Sequence, residues 1–168
     1  DDDDDDDDDV EKEEEYEVVE FNDWEAMKLK KDVLRGIYSY GFEKPSPIQK
    51  KAIKPLYDGK DIIAQAQSGT GKTATFTIGA LQRVNISEHS TQVLILSPTR
   101  ELSTQTSKVV SNLGSFMDGL KIQTIFGGSR IEESSSFSTK NIPHIICGCT
   151  GRVYDMMRRD RISTNNIK

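Results

Sequence analysis

Three kinds of sequence follow one another without a gap between Asp61 and Val84. A short apolar run, Asp61-Ile62-Ile63-Ala64-Gln65, leads into Ala66-Gln67-Ser68-Gly69-Thr70-Gly71-Lys72-Thr73, and helix-forming composition continues from Ala74 to Val84. This order, a buried strand, a glycine-rich loop and a helix, constrains the chain more than any other stretch. Gly69 and Gly71 permit φ > 0 and so turn successive backbone N–H groups inward at a helix N-terminus, a cradle suited to the β-phosphate of a nucleotide. Lys72 can reach the β- and γ-phosphates as a point charge, and the Thr73 hydroxyl is placed to bind Mg²⁺. Loops of this kind usually open with Gly; here the position is Ala66, which requires φ < 0 where the chain enters.

Charge is distributed unevenly. The formal net charge is −6, but fifteen of the 28 acidic residues and only one of the 22 basic ones fall in residues 1–20, beginning with the unbroken run Asp1 to Asp9. Residues 21–168 therefore carry 13 acidic and 21 basic groups, a net +8 that suits a polyanionic partner. The acidic segment cannot bury a core, so residues 1–20 are expected to be a disordered tail, either simply solvated or competing with nucleic acid for the basic face. The two cysteines, Cys147 and Cys149, have His144 nearby and His89 far off; this is not a four-ligand zinc spacing, and the thiols read as small, partly buried groups in a reducing compartment. No apolar run approaches the roughly 20 residues that span a bilayer, and no secretory signal is present, so the expected setting is intracellular, cytoplasmic or nuclear, without a membrane partner. With 168 residues and no initiator Met, the chain reads as a piece of something longer.

Along the chain, Leu29, Val33, Leu34, Ile37 and Tyr38 recur at helical spacing up to Gly41. Gly41-Phe42-Glu43-Lys44-Pro45-Ser46-Pro47-Ile48-Gln49 forms an extended turn that starts a helix from Ile48 to Tyr57. Beyond the loop, the apolar run Val93 to Leu96 is followed by Pro98-Thr99-Arg100-Glu101-Leu102 and a helix to about Leu113. Lys121 to Phe126 alternates up to Gly127-Gly128 and a shorter helix from Arg130. Ile142 to Cys147 is again apolar, and Cys149-Thr150-Gly151-Arg152 opens a helix through Arg158. Strands apolar on both faces, alternating with helices, predict an α/β fold with a parallel sheet covered on both sides and ligands at the C-terminal strand ends. Arg100, Arg130 and Arg152 beside helix N-termini at that rim suit a row of phosphates, although an Arg just inside a helix can equally pair with a neighbouring Glu such as Glu101.

These motifs resemble those of DEAD-box RNA helicases, within them the initiation-factor-4A-like group, over nearly the whole chain from about Trp24. Gly41-Phe42-x-x-Pro45-x-x-Ile48-Gln49, with Trp24 upstream, is similar to the family's adenine-recognising Q motif, and Ala66 to Thr73 to its first phosphate motif, which begins with Ala. Pro98-Thr99-Arg100-Glu101-Leu102, Gly127-Gly128 and Thr150-Gly151-Arg152 resemble successive RNA-contacting motifs of the first RecA-like lobe. The resemblance implies a Q-motif region over residues 21–60 and a partial RecA-like P-loop lobe over residues 61–168, with the second lobe absent. It implies ATP and Mg²⁺ as cofactors, with Trp24, Phe42, Lys44, Gln49 and Ala66 through Ala74 (Ala66, Gln67, Ser68, Gly69, Thr70, Gly71, Lys72, Thr73, Ala74) on the nucleotide. Phe42 would stack on adenine and the Gln49 amide would read its edge; Lys72 and Thr73 would serve catalysis, Thr73 through Mg²⁺. Pro98, Thr99, Arg100, Glu101, Gly127, Gly128, Thr150, Gly151 and Arg152 would hold RNA without regard to sequence. Protein partners of the initiation-factor or exon-junction type are implied as well.

Two motifs differ from the family's usual pattern. Cys149-Thr150-Gly151-Arg152 stands where Thr-Pro-Gly-Arg is usual, and Ser103 where Ala is common. The Asp-Glu-Ala-Asp motif and the arginine fingers of the second lobe lie outside these 168 residues, so the chain by itself is expected to turn over little ATP. Two other functions share part of the pattern: a P-loop ATPase acting on DNA or protein, which needs no Phe42 and Gln49 at their spacing, and a non-enzymatic nucleotide- or RNA-binding module.

Overall fold

In a computed structural model, residues 15–67, 71–126 and 141–168 are described. The first ordered turn is a 3-10 helix at Glu25–Met27, and α1 follows at Lys31–Ser39. Its apolar stripe buries Val33 and Ile37 and ends at Gly41, whose φ of +97° turns the chain sharply. The start of α1 is tied to the end of a later helix: the Lys30 N–H donates to Gln82 Oε1 at 2.8 Å, and its ammonium donates to the Val84 carbonyl at 2.6 Å. Helix α2, Pro47–Tyr57, begins with Pro at its first position and with a capping box in which Ser46 and Gln49 satisfy each other's backbone N–H groups. Helix α3, Lys72–Arg83, starts on Gly71 at φ +81°, and the Thr75 hydroxyl donates back to the Gly71 carbonyl at 2.8 Å.

Among the described residues the sheet has three parallel strands, β1 (Val93–Ser97), β2 (Ile122–Ile125) and β3 (Ile145–Cys149), in the order β1–β3–β2. The central strand pairs Ile145 with both Val93 and Ile122, and the ladder runs on to Ser97 beside Cys149. Between β1 and β2 lies α4, Arg100–Leu113; after β3 comes α5, Thr150–Arg158. Alternation along β3 distributes its side chains to two cores, as expected for a sheet covered on both faces. Ile145 and Cys147 join Trp24, Ile37, Ile53, Ile78, Leu81 and Leu113 on one side, and Ile146 joins Ile125, Val153, Met156 and Ile162 on the other. His144, also fully buried, locks the start of β3 in place: its Nδ1 accepts from the Lys121 N–H at 3.0 Å, and Nε2 faces the Ile86 carbonyl at 3.1 Å.

The run Asp61 to Gln65 departs from the expectation of a strand. Residues 61–67 have no regular secondary structure, and Ile63 is fully exposed. Both recorded ladders pass through β3, so among the described residues no strand offers this run a partner. An apolar run without a ladder leaves its N–H and C=O groups to water, and composition alone cannot supply the missing neighbour. The outer edge of β1 is open in the same way, with Leu96 half exposed. The third apolar run also shifts: the strand begins at Ile145, not Ile142, and extends through Cys149. The acidic run Asp1 to Asp9 and the helix expected from Arg130 lie outside the described residues. Among the described residues no helix is long and apolar enough to cross a membrane.

Candidate nucleotide and nucleic-acid site

Gln49 and Gly71 meet where α2 and α3 begin. Gln49 is fully buried, its Oε1 accepting from the Ser46 N–H at 2.8 Å and its Nε2 donating to the Gly71 carbonyl at 3.4 Å. A Cβ built on Gly71 would lie 2.6 Å from that Nε2, so glycine is required both for its φ and for this contact. The residue expected to read adenine is thus held by the phosphate-loop exit on one side and by its own helix cap on the other. The capping role was readable from Ser46-x-x-Gln49 in the sequence.

Phe42 is half-buried, its ring centroid 4.8 Å from that of Tyr40 and 6.5 Å from that of Trp24. Trp24 has no exposed surface at all; its indole N–H donates to the Phe42 carbonyl at 3.2 Å. So enclosed, Trp24 supports the turn that carries Phe42. Lys44 is exposed on the same turn.

Ala66 is half-buried and Gln67 exposed; Ser68, Gly69 and Thr70 fall outside the described residues. Lys72 projects into solvent from the first turn of α3, Thr73 is half-buried and Ala74 is in the core. An N-terminus with Gly71 in the left-handed region and an exposed Lys beside it presents partial positive charge and a free-standing cation to the same space.

A second group of expected residues gathers at the C-terminal rim of the sheet. Ser97 and Cys149 are register partners, so Pro98-Thr99 and Thr150-Gly151 leave adjacent strands side by side. Thr99 caps α4 by accepting from the Leu102 N–H at 3.2 Å, and Ser103 Oγ lies 3.7 Å from Cys149 Sγ, bridging the first turns of α4 and α5. This contact joins one differing position from each of the two motifs that depart from the family's pattern, and nothing in their separate stretches of sequence announced it. Pro98, Thr99, Arg100, Glu101, Thr150 and Gly151 are exposed; Arg152 is largely covered, 3.8 Å from Asp155. Arg100 does not pair with Glu101 in any recorded ion pair but lies over the Phe126 ring, 4.7 Å from its centroid. Phe126 follows β2, so the end of the third strand joins the rim; Gly127 and Gly128 lie outside the described residues. Of the two thiols, Cys147 is fully buried and burial pushes it up to about 12.

A parallel sheet with a glycine-led helix N-terminus at one place and two helix N-termini with an exposed arginine at its C-terminal rim makes an α/β lobe whose rim suits anionic groups. The comparisons with known proteins make this specific. The family described as DEAD/DEAH box helicase matches residues 46–168, and the chain belongs to that family. It is 51% identical over 145 residues to the ATP-dependent RNA helicase FAL1 of Candida glabrata, covering 86% of this chain and 36% of that protein. To eukaryotic initiation factor 4A of Dictyostelium discoideum it is 50% identical over 145 residues, 86% of this chain and 35% of the relative. Among solved structures, a DEAD box protein from Methanococcus jannaschii superposes with a TM-score of 0.81 at 35% identity over 89% of this chain and 38% of that one. Saccharomyces cerevisiae Dbp5 bound to RNA and ADP BeF3 gives 0.77 at 37% identity, covering 88% and 37%. The chain thus spans about a third of the length of these relatives, and its fold is that of their RecA-like lobe.

Proposed function

We propose that this lobe grips ATP and single-stranded RNA as part of an ATP-dependent RNA helicase that separates short duplexes. The observation that carries the reading is the Gln49–Gly71 junction, which sets a buried amide against the glycine at the N-terminus of α3, with the exposed Lys72 on the next residue. Adenine would stack on Phe42 and take the hydrogen bonds of Gln49, with Lys44 at the margin; the phosphates would lie along residues 66–74 against Lys72. Among the described residues no group of three His, Cys, Asp or Glu could hold a metal ion. Mg²⁺ would therefore arrive on the phosphates and take the Thr73 hydroxyl, supplying charge neutralisation during phosphoryl transfer.

RNA would run along the rim, its phosphates meeting the α4 and α5 N-termini with Pro98, Thr99, Arg100, Glu101, Thr150, Gly151 and Arg152, and next to them Gly127 and Gly128. Helix dipoles and backbone N–H groups read no base, so binding would be independent of sequence and weaken with salt. Dbp5 in its RNA- and nucleotide-bound structure supports the same pairing of ligands for this fold. Partners of the initiation-factor or exon-junction type, and an intracellular setting, belong to the same proposal, which the likeness to the initiation-factor-4A relatives supports.

Affinity for ADP against GDP, measured on the chain and on Gln49→Ala, tests the reading. ADP should bind at least 10-fold better, Gln49→Ala should remove most of that preference, and Lys72→Ala should weaken both nucleotides. Equal affinity for ADP and GDP in the unaltered chain would favour a nucleotide-unselective P-loop ATPase instead.

A further inference from the structure

Arg100 is the first residue of α4, where the helix dipole places partial positive charge, so a guanidinium there meets a repulsion that a neutral side chain would not. Successive helical residues point to different sides, so the adjacent Glu101 is poorly placed to offset it. The compensation comes from another strand. Arg100 Cζ lies over the Phe126 ring, 4.7 Å from its centroid, inside the roughly 6 Å within which the negative face of an aromatic ring attracts a cation. Phe126 is half-buried directly after β2, and Arg100 lies three residues after the end of β1. Their contact therefore ties together the segments that leave the two strands flanking β3.

The manner of holding decides what the cation can still do. A guanidinium engaged over a ring keeps the N–H donors that lie in its own plane, and their fork matches a phosphate. Arg152, on the neighbouring helix, is differently disposed: it is largely covered, and its Nη1 faces Asp155 at 3.8 Å, an acidic neighbour that balances its charge. Arg100 is exposed and rests on an uncharged ring, so its positive charge remains open to an anion at the rim.

We infer that Phe126 is a positioning residue for RNA: its ring holds the Arg100 guanidinium at the rim, with the N–H donors ready to meet a backbone phosphate. Restraining a long side chain that otherwise samples many rotamers removes part of the ordering cost before RNA arrives. This role depends on the RNA grip proposed above, and Phe126 acts on RNA only through Arg100.

Anisotropy titrations with a labelled single-stranded oligouridine, and ADP affinities of the same proteins, test the assignment. Phe126→Leu keeps apolar bulk but removes the π face; at 50 mM salt it should weaken RNA binding roughly two- to five-fold, the span expected of one exposed cation–π contact. Phe126→Tyr keeps the face and should bind RNA within about 1.5-fold of the unaltered chain. Arg100→Ala should lower the slope of log affinity against log salt by about 0.7, one phosphate contact, and in that background Phe126→Leu should change RNA affinity by less than about 1.5-fold. ADP affinity should be unchanged throughout. An unchanged RNA affinity in Phe126→Leu overturns the assignment, and so does an equal loss with and without Arg100, since the ring would then act by another route. A parallel loss of ADP affinity marks a packing defect of the whole lobe and overturns it as well. If Arg100→Ala binds RNA as the unaltered chain does, Arg100 meets no phosphate and the assignment fails while RNA binding itself stands. If the unaltered chain binds ADP but no RNA, the RNA reading fails and the role of Phe126 goes with it.

Discussion

Replacing Gly36 by Ala sets two opposed effects against each other on one methyl group. In an isolated helix the change is favourable, worth about 1 kcal/mol of backbone entropy and propensity. In this fold Gly36 faces the C-terminal end of α4, and a Cβ there would lie 1.9 Å from the Leu113 carbonyl oxygen and 2.9 Å from its carbon. The obstacle is backbone, which cannot swing aside as a side-chain end could. To restore an ordinary contact, α1 would have to retreat by about 1.4 Å, and gaps of 0.5–1 Å already forfeit a quarter to a half of each dispersion contact. Val33 and Ile37, both without exposed surface on the same helix, would lose packing with it. Overpacking of this kind costs about 1–3 kcal/mol before the lost contacts are added, so the net effect should be a destabilisation of about 2 kcal/mol. Urea unfolding followed by circular dichroism reads this as a midpoint about 1 M lower at unchanged slope. Gly151→Ala is the companion, because its added methyl would meet nothing within 4 Å; it should leave the midpoint unchanged or raise it slightly. A Gly36→Ala midpoint equal to or above that of the unaltered chain would refute the reasoning, since propensity would then outweigh the α1–α4 contact.

Further outcomes follow from other buried groups. Burial holds His144 below its ordinary value near 6.5, and the protonated ring would turn a donor toward the Lys121 N–H. Stability should thus be fully present above about pH 6.5 and fall as pH drops below it; pH-dependent urea midpoints check this, and His144→Gln should flatten the slope near pH 6. Cys147, buried and held near 12, should resist iodoacetamide at pH 8 until the chain unfolds, while the partly exposed Cys149 is alkylated in the native state; mass spectrometry of the two sites reads the difference. Trp24→Phe strands the Phe42 carbonyl and should lower stability by about 1–3 kcal/mol in the same urea assay.

Local signals were legible in the sequence wherever a residue's neighbours lie close along the chain. Ser46, Pro47 and Gln49 announce α2, Thr99 caps α4, and the apolar run at residues 93–96 is a strand as its composition suggested. The 61–65 run has equally strand-like composition and forms none, because a strand is defined by a partner at long range and none of the described strands lies beside it. Trp24 shows the same limit from the other side: the resemblance marked it for the site, but only packing reveals that it is enclosed and supports Phe42 through one hydrogen bond. The Ser103–Cys149 contact needed the register of β1 against β3 to become visible.

The order β1–β3–β2 also has a bearing on time. Neither outer strand touches the other; each waits for β3, whose Ile145 pairs with Val93 about 50 residues earlier in the chain. At 5–20 residues per second a ribosome needs about 3–10 s to make that stretch. For those seconds Val93-Leu94-Ile95-Leu96 is an apolar strand with both edges unclaimed, long compared with the microseconds in which hairpins close. A nascent chain of this topology is therefore most exposed to wrong pairing just before β3 emerges, and a pause placed upstream of Ile145 would lengthen that window in proportion.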